Sequence, residues 1–174
     1  MKKLLLLIPL SMFIAGGAIY YWPRHIVSHA IERSFTDQEL QDASNVIVLG
    51  TFTHPNAYLE DAKDDSSLVT NWTLQVKRTF KGATSKTLAV TTPGGTLGGL
   101  TLTSADWPDI RTNQTAVVYL HWYAAKNRYV VSSMSRGFLR YDGAQATPLI
   151  GQSVSLDGLQ ARVTSLQATA AVAQ

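Results

Sequence analysis

Apolar and polar residues alternate along much of the chain, which is the pattern of β-strands that bury one face. The longest alternating run is 68–80, and four of its apolar side chains fall on even positions: Trp72, Leu74, Val76 and Phe80. Mainly threonine, glutamine and lysine fill the positions between them. We therefore expect this segment to be a strand with those four side chains in the core.

Further segments are short, rich in β-branched or aromatic residues and bounded by turn residues, which predicts strands. They are 45–53, 86–92, 100–103, 115–123, 129–134 and 137–141. Gly50 predicts a bulge or a sharp bend in the first of them, and His54-Pro55-Asn56 is expected to end it. About six to seven short strands with polar turns between them favour a mostly β fold, a small antiparallel barrel or sandwich with short flanking helices.

Residues 24–43 are expected to be helical and polar. Within them, Thr36-Asp37-Gln38-Glu39 matches a capping box, in which the threonine hydroxyl and the glutamate carboxylate each accept a hydrogen bond from a free backbone amide. A short helix is therefore predicted from this point to Ala43.

The last part of the chain changes its period. Apolar residues recur at steps of three and four residues over 156–166, with Ser155 placed to cap a helix. The alternative is a hairpin around Asp157-Gly158, in which Leu159 and Val163 would lose their common face. A helix packed on the strands is therefore preferred, and residues 167–174 are expected to fray.

The N-terminus has the pattern of a bacterial export leader. Lys2 and Lys3 precede an apolar run over residues 4–22. If the leader is a signal peptide, small residues at 15–18 would be the cleavage zone; if it is a signal anchor, the whole run would span the bilayer, close to the ~20 residues that its core needs. Either way residues 23–174 are expected to be extracytoplasmic, with 1–22 as leader, 23–43 as a juxtamembrane helical segment, 44–166 as the β-domain and 167–174 as a tail.

The composition excludes several classes of site, and the charged residues are unevenly distributed along the chain. The chain has no cysteine, which excludes disulfides, zinc–thiolate sites and thiol nucleophiles. Its formal charge of +3 is unevenly distributed, because residues 24–65 are predominantly acidic and the chain after Ser66 is predominantly basic. The expected partners are the membrane through residues 4–22, an envelope protein or an anionic surface polymer. No cofactor, metal or nucleic acid is expected.

Five motifs resemble parts of small exported bacterial β-domains that have no assigned activity. They are SNVIVLGTF at 44–52, VKRTFKG at 76–82, TPGGTLGG at 92–99, AVVYLHW at 116–122 and RGFLRYDG at 136–143. A helix followed by the first strand also resembles the opening of netrin-like and other OB-type barrels, at the level of the fold. The resemblance departs at Asn113-Gln114, where similar domains often carry glycine. It implies an OB-like barrel, and it implies no catalytic residue.

Candidate binding residues lie on one strand, in one turn and among the basic residues. Tyr119, His121 and Tyr123 alternate along the strand 115–123 on the face opposite its predicted core face. The turn 93–99 could accept an edge-pairing peptide or supply positive φ, through its four glycines Gly94, Gly95, Gly98 and Gly99. Basic residues among aromatic ones add two candidates, Arg136 and Arg140.

The sequence patterns that would indicate catalysis or metal binding are weaker than those that indicate binding. The alternative to a binding module is an extracytoplasmic enzyme that uses Asp106, Asp109 or His121 for acid–base chemistry. A protease-inhibitor-like module is another alternative, on the barrel analogy alone. His25 and His29 have a spacing that could hold a metal on a helix, but no third ligand accompanies them. The acidic segment 60–65 lacks the glycine of a calcium loop and is expected to be a solvated loop.

Overall fold

The fold is mostly β, with 51% of the residues in strands and 18% in helices. A computed structural model of the chain describes residues 24–28, 35–104 and 106–172. The predicted leader at 1–22 lies outside these ranges. Within them, no helix is both long enough and apolar enough to cross a bilayer.

The described residues form eleven strands and two α-helices. The strands are β1 (Arg24–Ser28), β2 (Val46–Leu59), β3 (Leu68–Lys81), β4 (Thr87–Pro93), β5 (Gly95–Leu97), β6 (Leu100–Ser104), β7 (Thr115–Tyr123), β8 (Arg128–Val131), β9 (Phe138–Tyr141), β10 (Gln145–Pro148) and β11 (Val154–Ser155). The helices are α1 (Asp37–Asp42) and α2 (Leu156–Val172). Short 3-10 turns occupy Asp65–Ser67 and Ala124–Lys126.

The main sheet closes on itself. Its order is β11-β10-β9-β7-β2-β3-β4-β8, and a further pairing between β7 and β8 joins strands β2, β3, β4, β8 and β7 into a ring. All pairings in the ring are antiparallel except β4 with β8. On the edge of β7 opposite β2, the second half of the strand pairs with β8 and the first half with β9. Strands β9, β10 and β11 therefore extend the sheet outside the ring.

Both faces of β2 and β7 are buried, which explains their continuous apolar sequences. Side chains that point into the ring form an inner cluster that includes Val48, Phe52, Trp72 and Leu74. Side chains on the opposite face of the strands form an outer cluster with Leu40 of α1 and with Leu159 and Val163 of α2. Its strand residues are Ile47, Leu49, Phe80, Val117, Tyr119, Leu139 and Ala146. The two helices thus cover the side of the ring formed by β2 and β7.

Irregular pairing between β2 and β3 changes which way β3 faces. Gly50 pairs with Val76 and Leu49 with Arg78, so Lys77 is an extra residue in β3. Trp72, Leu74 and Val76 pack on the inner cluster as predicted, whereas Phe80 packs in the outer one. The prediction of a single face for all four was wrong, because each extra residue reverses the alternation.

The bulge predicted at Gly50 is confirmed by the register shift between Leu49 and Gly50. A Cβ atom there would lie 2.8 Å from both the Gln75 carbonyl oxygen and the Leu74 side chain. The prediction that the strand ends at His54 was wrong. His54 adopts φ 50° within the third of three irregularities in this pairing, between Thr53 and Asn56, and β2 continues to Leu59.

A second sheet of three strands has the order β1-β6-β5. Residues 24–28 form its strand β1, paired in parallel with β6, so the prediction of a helix there was wrong. Gly98 and Gly99, with φ of 53° and 83°, form the turn between β5 and β6. Ile26 packs against Leu100, Leu102 and Leu68, which joins this sheet to β3.

The helix signals are confirmed at both places. Thr36 and Glu39 form the capping box, and α1 ends at Asp42 with Ala43 as its C-cap. The Ser155 hydroxyl accepts a hydrogen bond from the Gly158 amide at 3.1 Å, and the hairpin alternative is wrong. Helix α2 also runs to Val172, so a frayed tail from residue 167 is not observed.

Candidate functional site

A cleft of about 600 Å³ lies where the ring meets the three-stranded sheet. Its walls come from β2, β3 and β4 on one side, from β5 and β6 on the other, and from the segment 107–110. The residues that line it are Pro55, Ala57, Thr70, Trp72, Thr92, Pro93, Gly94, Gly95, Thr96, Thr101, Leu102, Thr103, Ser104, Trp107, Pro108, Asp109, Ile110 and Met134. We call this space the threonine cleft.

Hydrogen bonds between neighbouring strands hold the wall of the threonine cleft. The indole Nε1 of Trp72 donates to the Thr92 hydroxyl at 3.0 Å, and the Thr70 hydroxyl donates to the Gly94 carbonyl at 2.7 Å. Gly94 and Gly95 have φ of 81° and 134°, and a side chain at Gly95 would overlap the Thr70 hydroxyl. The first two glycines of the predicted turn therefore let β4 bend into β5 at the cleft wall.

The threonine cleft is almost without charge. Among the described residues that line it, Asp109 alone is ionisable as an acid or base at neutral pH. The Asp109 carboxylate is already paired with Arg111, at 2.8 Å from the guanidinium. Trp107, Pro108 and Ile110 add apolar surface beside the threonine hydroxyls. The cleft suits an uncharged ligand with both polar and apolar groups.

The predicted turn divides into two parts. Gly94 and Gly95 line the threonine cleft, whereas Gly98 and Gly99 lie at the exposed tip of the β5–β6 hairpin. All four have positive φ, so the expectation that they supply this conformation is confirmed.

The predicted stripe on β7 is not one continuous surface. Tyr119 is only 7% exposed, because the helices cover this face of β7. His121 is exposed, with its Nδ1 3.2 Å from the Ala43 carbonyl, and Tyr123 is 41% exposed. The expectation that Tyr119 is a surface residue was wrong, since the outer face of β7 is a second core.

Tyr119 lies instead at a second cavity, of about 290 Å³, between the sheet and α2. Three charged residues line it: Asp37, Arg136 and Arg162. Arg136 Nη2 lies 2.6 Å from one carboxylate oxygen of Asp37, and Arg162 Nη1 lies 3.0 Å from the other. We call this space the arginine cavity.

Burial raises the pKa of Tyr119 to about 12, while the charges of Arg162, Asp37 and Arg136 make smaller, partly cancelling contributions. The phenol is therefore protonated at neutral pH.

Sequence reasoning identified one of the two arginines of this cavity. Arg136 was a candidate, but Arg140 is exposed and its guanidinium donates to the Asp109 carbonyl at 3.4 Å. Arg162 and Asp37 were missed. A signal existed for Arg162, which follows Leu159 by three residues and so lies at the edge of the buried side of α2.

Gly137 fixes the backbone beside Arg136. The Gly137 amide donates to the Ser133 carbonyl at 2.7 Å, and the Arg136 amide donates to the Ser133 hydroxyl at 3.2 Å. A Cβ atom on Gly137 would lie 2.6 Å from the Ser133 carbonyl oxygen. A glycine is therefore required for this turn to hold Arg136 over the outer face.

The residues considered for acid–base chemistry do not share a cavity. Asp109 lines the threonine cleft, whereas Asp106 and His121 line neither cavity. Of the two histidines considered as ligands, His25 lies on β1 with its Nε2 3.4 Å from the Thr103 hydroxyl, and His29 lies outside the described residues. Within the described ranges, no group of three or more acidic or histidine side chains is placed to hold a metal.

The acidic segment 60–65 is held by ion pairs to a distant part of the chain and by local hydrogen bonds. The carboxylate of Glu60 bonds to Lys126 and Arg128, and the hydrogen bond from Lys126 is the largest cause of the lowered pKa of Glu60, which burial partly opposes. Asp64 accepts hydrogen bonds from the hydroxyl and amide of Ser66, which lower its pKa. These bonds stabilise the connection between β2 and β3.

Comparison of the sequence with models of known protein families, and with curated proteins, finds no match.

Proposed function

We propose that the protein is an exported, membrane-anchored binding module of the bacterial envelope, without enzymatic activity, built on an OB-like barrel. The ring order β2-β3-β4-β8-β7, with a single parallel pairing, supports the comparison with the five-stranded Greek-key barrel of OB folds. The export leader in the sequence supports the extracytoplasmic location.

The observation that carries the proposal is the composition of the threonine cleft. It is lined by hydroxyl groups, two tryptophans, prolines and glycines, and its one carboxylate is paired with Arg111. Complementarity of charge therefore favours a neutral ligand over an anionic polymer. The ligand that we propose is an uncharged, extended polypeptide segment of an envelope protein.

The edge of β5 provides the second part of the argument. Among the described residues, strand β5 lies at the end of its sheet and pairs only with β6. An edge strand presents unpaired backbone N–H and C=O groups, which a peptide can complete as an added strand. Gly95 and Thr96 of this strand also line the cleft, so a peptide paired with β5 would place alternate side chains against Trp107 and the threonines.

Strand β1 supports a role close to the membrane. It begins at Arg24, one residue beyond the apolar run 4–22, and it pairs with β6. An uncleaved leader would hold the three-stranded sheet, and with it the threonine cleft, near the outer surface of the bilayer. A partner would then be a protein in the membrane or next to it.

The experiment is a titration of the full chain in detergent micelles with a neutral peptide, acetyl-Thr-Val-Thr-Val-Thr-amide. Tryptophan fluorescence reports binding, and a peptide with alternate amides N-methylated is the control, since it cannot complete a strand edge. Trp107→Ala is expected to weaken binding at least tenfold. Trp122→Ala is the matched variant, because Trp122 packs on Tyr129, with ring centroids 4.9 Å apart, outside the cleft.

Saturable binding of the unmodified peptide, lost in Trp107→Ala and kept in Trp122→Ala, would support the proposal. Equal binding of the N-methylated peptide would contradict pairing with β5. An absence of binding by either peptide would contradict the peptide-binding function.

A further inference from the structure

We infer that the arginine cavity is a second binding site, for a ligand that carries one carboxylate beside an apolar group. This site is separate from the threonine cleft and shares no lining residue with it. Its ligand class follows from three features: the charge of the cavity, the hydroxyl of Tyr119 and the apolar rim.

Among the described residues that line the cavity, two arginines face one carboxylate, which leaves an excess of one cation. Arg136 and Arg162 share the single carboxylate of Asp37, and each directs one nitrogen to it. A guanidinium has five N–H donors in a planar fork, so both arginines keep donors for a second anion. The side chains of Arg136 and Arg162 are 30% and 44% exposed, so a ligand can reach them from solvent. One excess charge favours a monoanion over a phosphate dianion.

The Tyr119 hydroxyl supplies a donor at the base of the cavity. The side chain is more than nine-tenths buried, and within the described ranges the hydroxyl has no hydrogen-bonding partner. The hydroxyl is not among the buried polar atoms of the described residues that lack a partner, so a ligand or water in the cavity can reach it as a hydrogen-bond donor. Because burial raises the pKa of this phenol to about 12, it is protonated at neutral pH and can donate to a carboxylate oxygen.

An apolar rim lies along one side of the cavity. Pro148, Ile150 and Leu139 line the cavity with Leu159 of α2. Ile150 is 60% exposed, so a ligand can contact its side chain from solvent. The Ile150 amide donates to the Ser135 carbonyl at 3.0 Å, so this loop is tied to the turn that carries Arg136. The rim fits an aliphatic group next to the carboxylate.

A peptide C-terminus with an aliphatic last residue and a free aliphatic acid share this chemistry. N-acetyl-leucine represents the first source and isovalerate the second. The matched neutral compound is N-acetyl-leucine amide, which keeps the aliphatic side chain and lacks the carboxylate. Inorganic phosphate tests the preference for a monoanion.

The experiment is a titration of the full chain in detergent micelles at pH 7, followed by the NMR signals of the arginine Nε–H groups. We expect saturable shifts of Arg136 and Arg162 with N-acetyl-leucine or isovalerate, and at least tenfold weaker binding of the amide and of phosphate. If N-acetyl-leucine binds more tightly, the ligand is a peptide C-terminus; if isovalerate binds more tightly, it is a free aliphatic acid. Equal affinity for N-acetyl-leucine and its amide would overturn the site, and so would equal or tighter binding of phosphate.

Two variants test the residues. Tyr119→Phe keeps the packing and removes the hydroxyl, so it is expected to weaken N-acetyl-leucine binding about tenfold, the loss of one hydrogen bond to a charged group. Arg140→Gln removes an exposed arginine outside the cavity and is expected to leave binding unchanged. Wild-type affinity in Tyr119→Phe would overturn the proposed geometry. This result does not depend on the peptide titration of the threonine cleft, so the two proposals can fail separately.

Discussion

The buried phenol of Tyr119 predicts a specific loss of stability at alkaline pH. Burial raises its pKa from 10.0 to about 12 in the folded protein. In the unfolded chain the phenol ionises near its ordinary pKa, so between these values the unfolded state binds fewer protons than the folded state. The stabilisation is therefore complete below pH 10 and is lost as the pH rises towards 12.

The size of the effect follows from the shift. One pKa unit corresponds to 1.36 kcal/mol, so a shift of about two units is worth about 2.7 kcal/mol when both states are ionised. Half of this, about 1.4 kcal/mol, is lost by about pH 11. The side chain is only 7% exposed, so screening by solvent reduces the effect little.

The assay compares wild type with Tyr119→Phe by urea unfolding, followed by tryptophan fluorescence. Near neutral pH the variant is expected to match wild type or to be slightly more stable, because the hydroxyl has no protein partner among the described residues. From pH 9 to 11 wild type should lose about 1.4 kcal/mol more than the variant. Tyr123→Phe is the matched control for removing one phenol from the same strand. If the free energy of unfolding falls with pH equally in wild type and in Tyr119→Phe, the reasoning is refuted.

Three further substitutions test other parts of the structure. Leu159→Ala removes a fully buried side chain from the outer cluster and is expected to cost about 2–5 kcal/mol in urea unfolding; a loss below about 0.5 kcal/mol would mean that α2 does not cover this face. Glu60→Gln should flatten the loss of stability in acid, because the pKa of Glu60 is lowered chiefly by Lys126 and its contribution disappears as the pH falls through that lowered value; an unchanged pH profile would contradict this. Gly137→Ala places a Cβ 2.6 Å from the Ser133 carbonyl oxygen. It is expected to lower the free energy of unfolding by about 1–3 kcal/mol. A thermal unfolding midpoint equal to that of wild type would contradict the close contact.

Local signals predicted much of the secondary structure. The capping box at Thr36 and the apolar spacing of α2 depend on residues three or four positions apart, and both helices are present. The alternation in β3 also predicted its inner face as far as Val76. These signals succeed because the interactions that they describe lie within one turn of a helix or along one strand.

Residues 24–28 show where local reasoning fails. Their sequence carries no strong alternation, and they form a strand because β6, far along the chain, pairs with them. The prediction for Phe80 fails for a similar reason, since the register of β2 on β3 decides on which face of β3 its side chain lies. Pairing over long sequence distances cannot be inferred from the period of one segment.

Local sequence signals specify most of the elements: strands from alternation and β-branched runs, helices from caps and spacing, and positive-φ turns from glycines. Tertiary contacts set the strand at 24–28 and the surfaces that remain available for binding. They bury Tyr119 beneath two helices, bring Arg136 and Arg162 to the same carboxylate of Asp37, and enclose Gly94 and Gly95 in a neutral cleft. The physical reason is that burial and charge pairing depend on residues distant in the chain, whose positions are set by ring closure and helix packing.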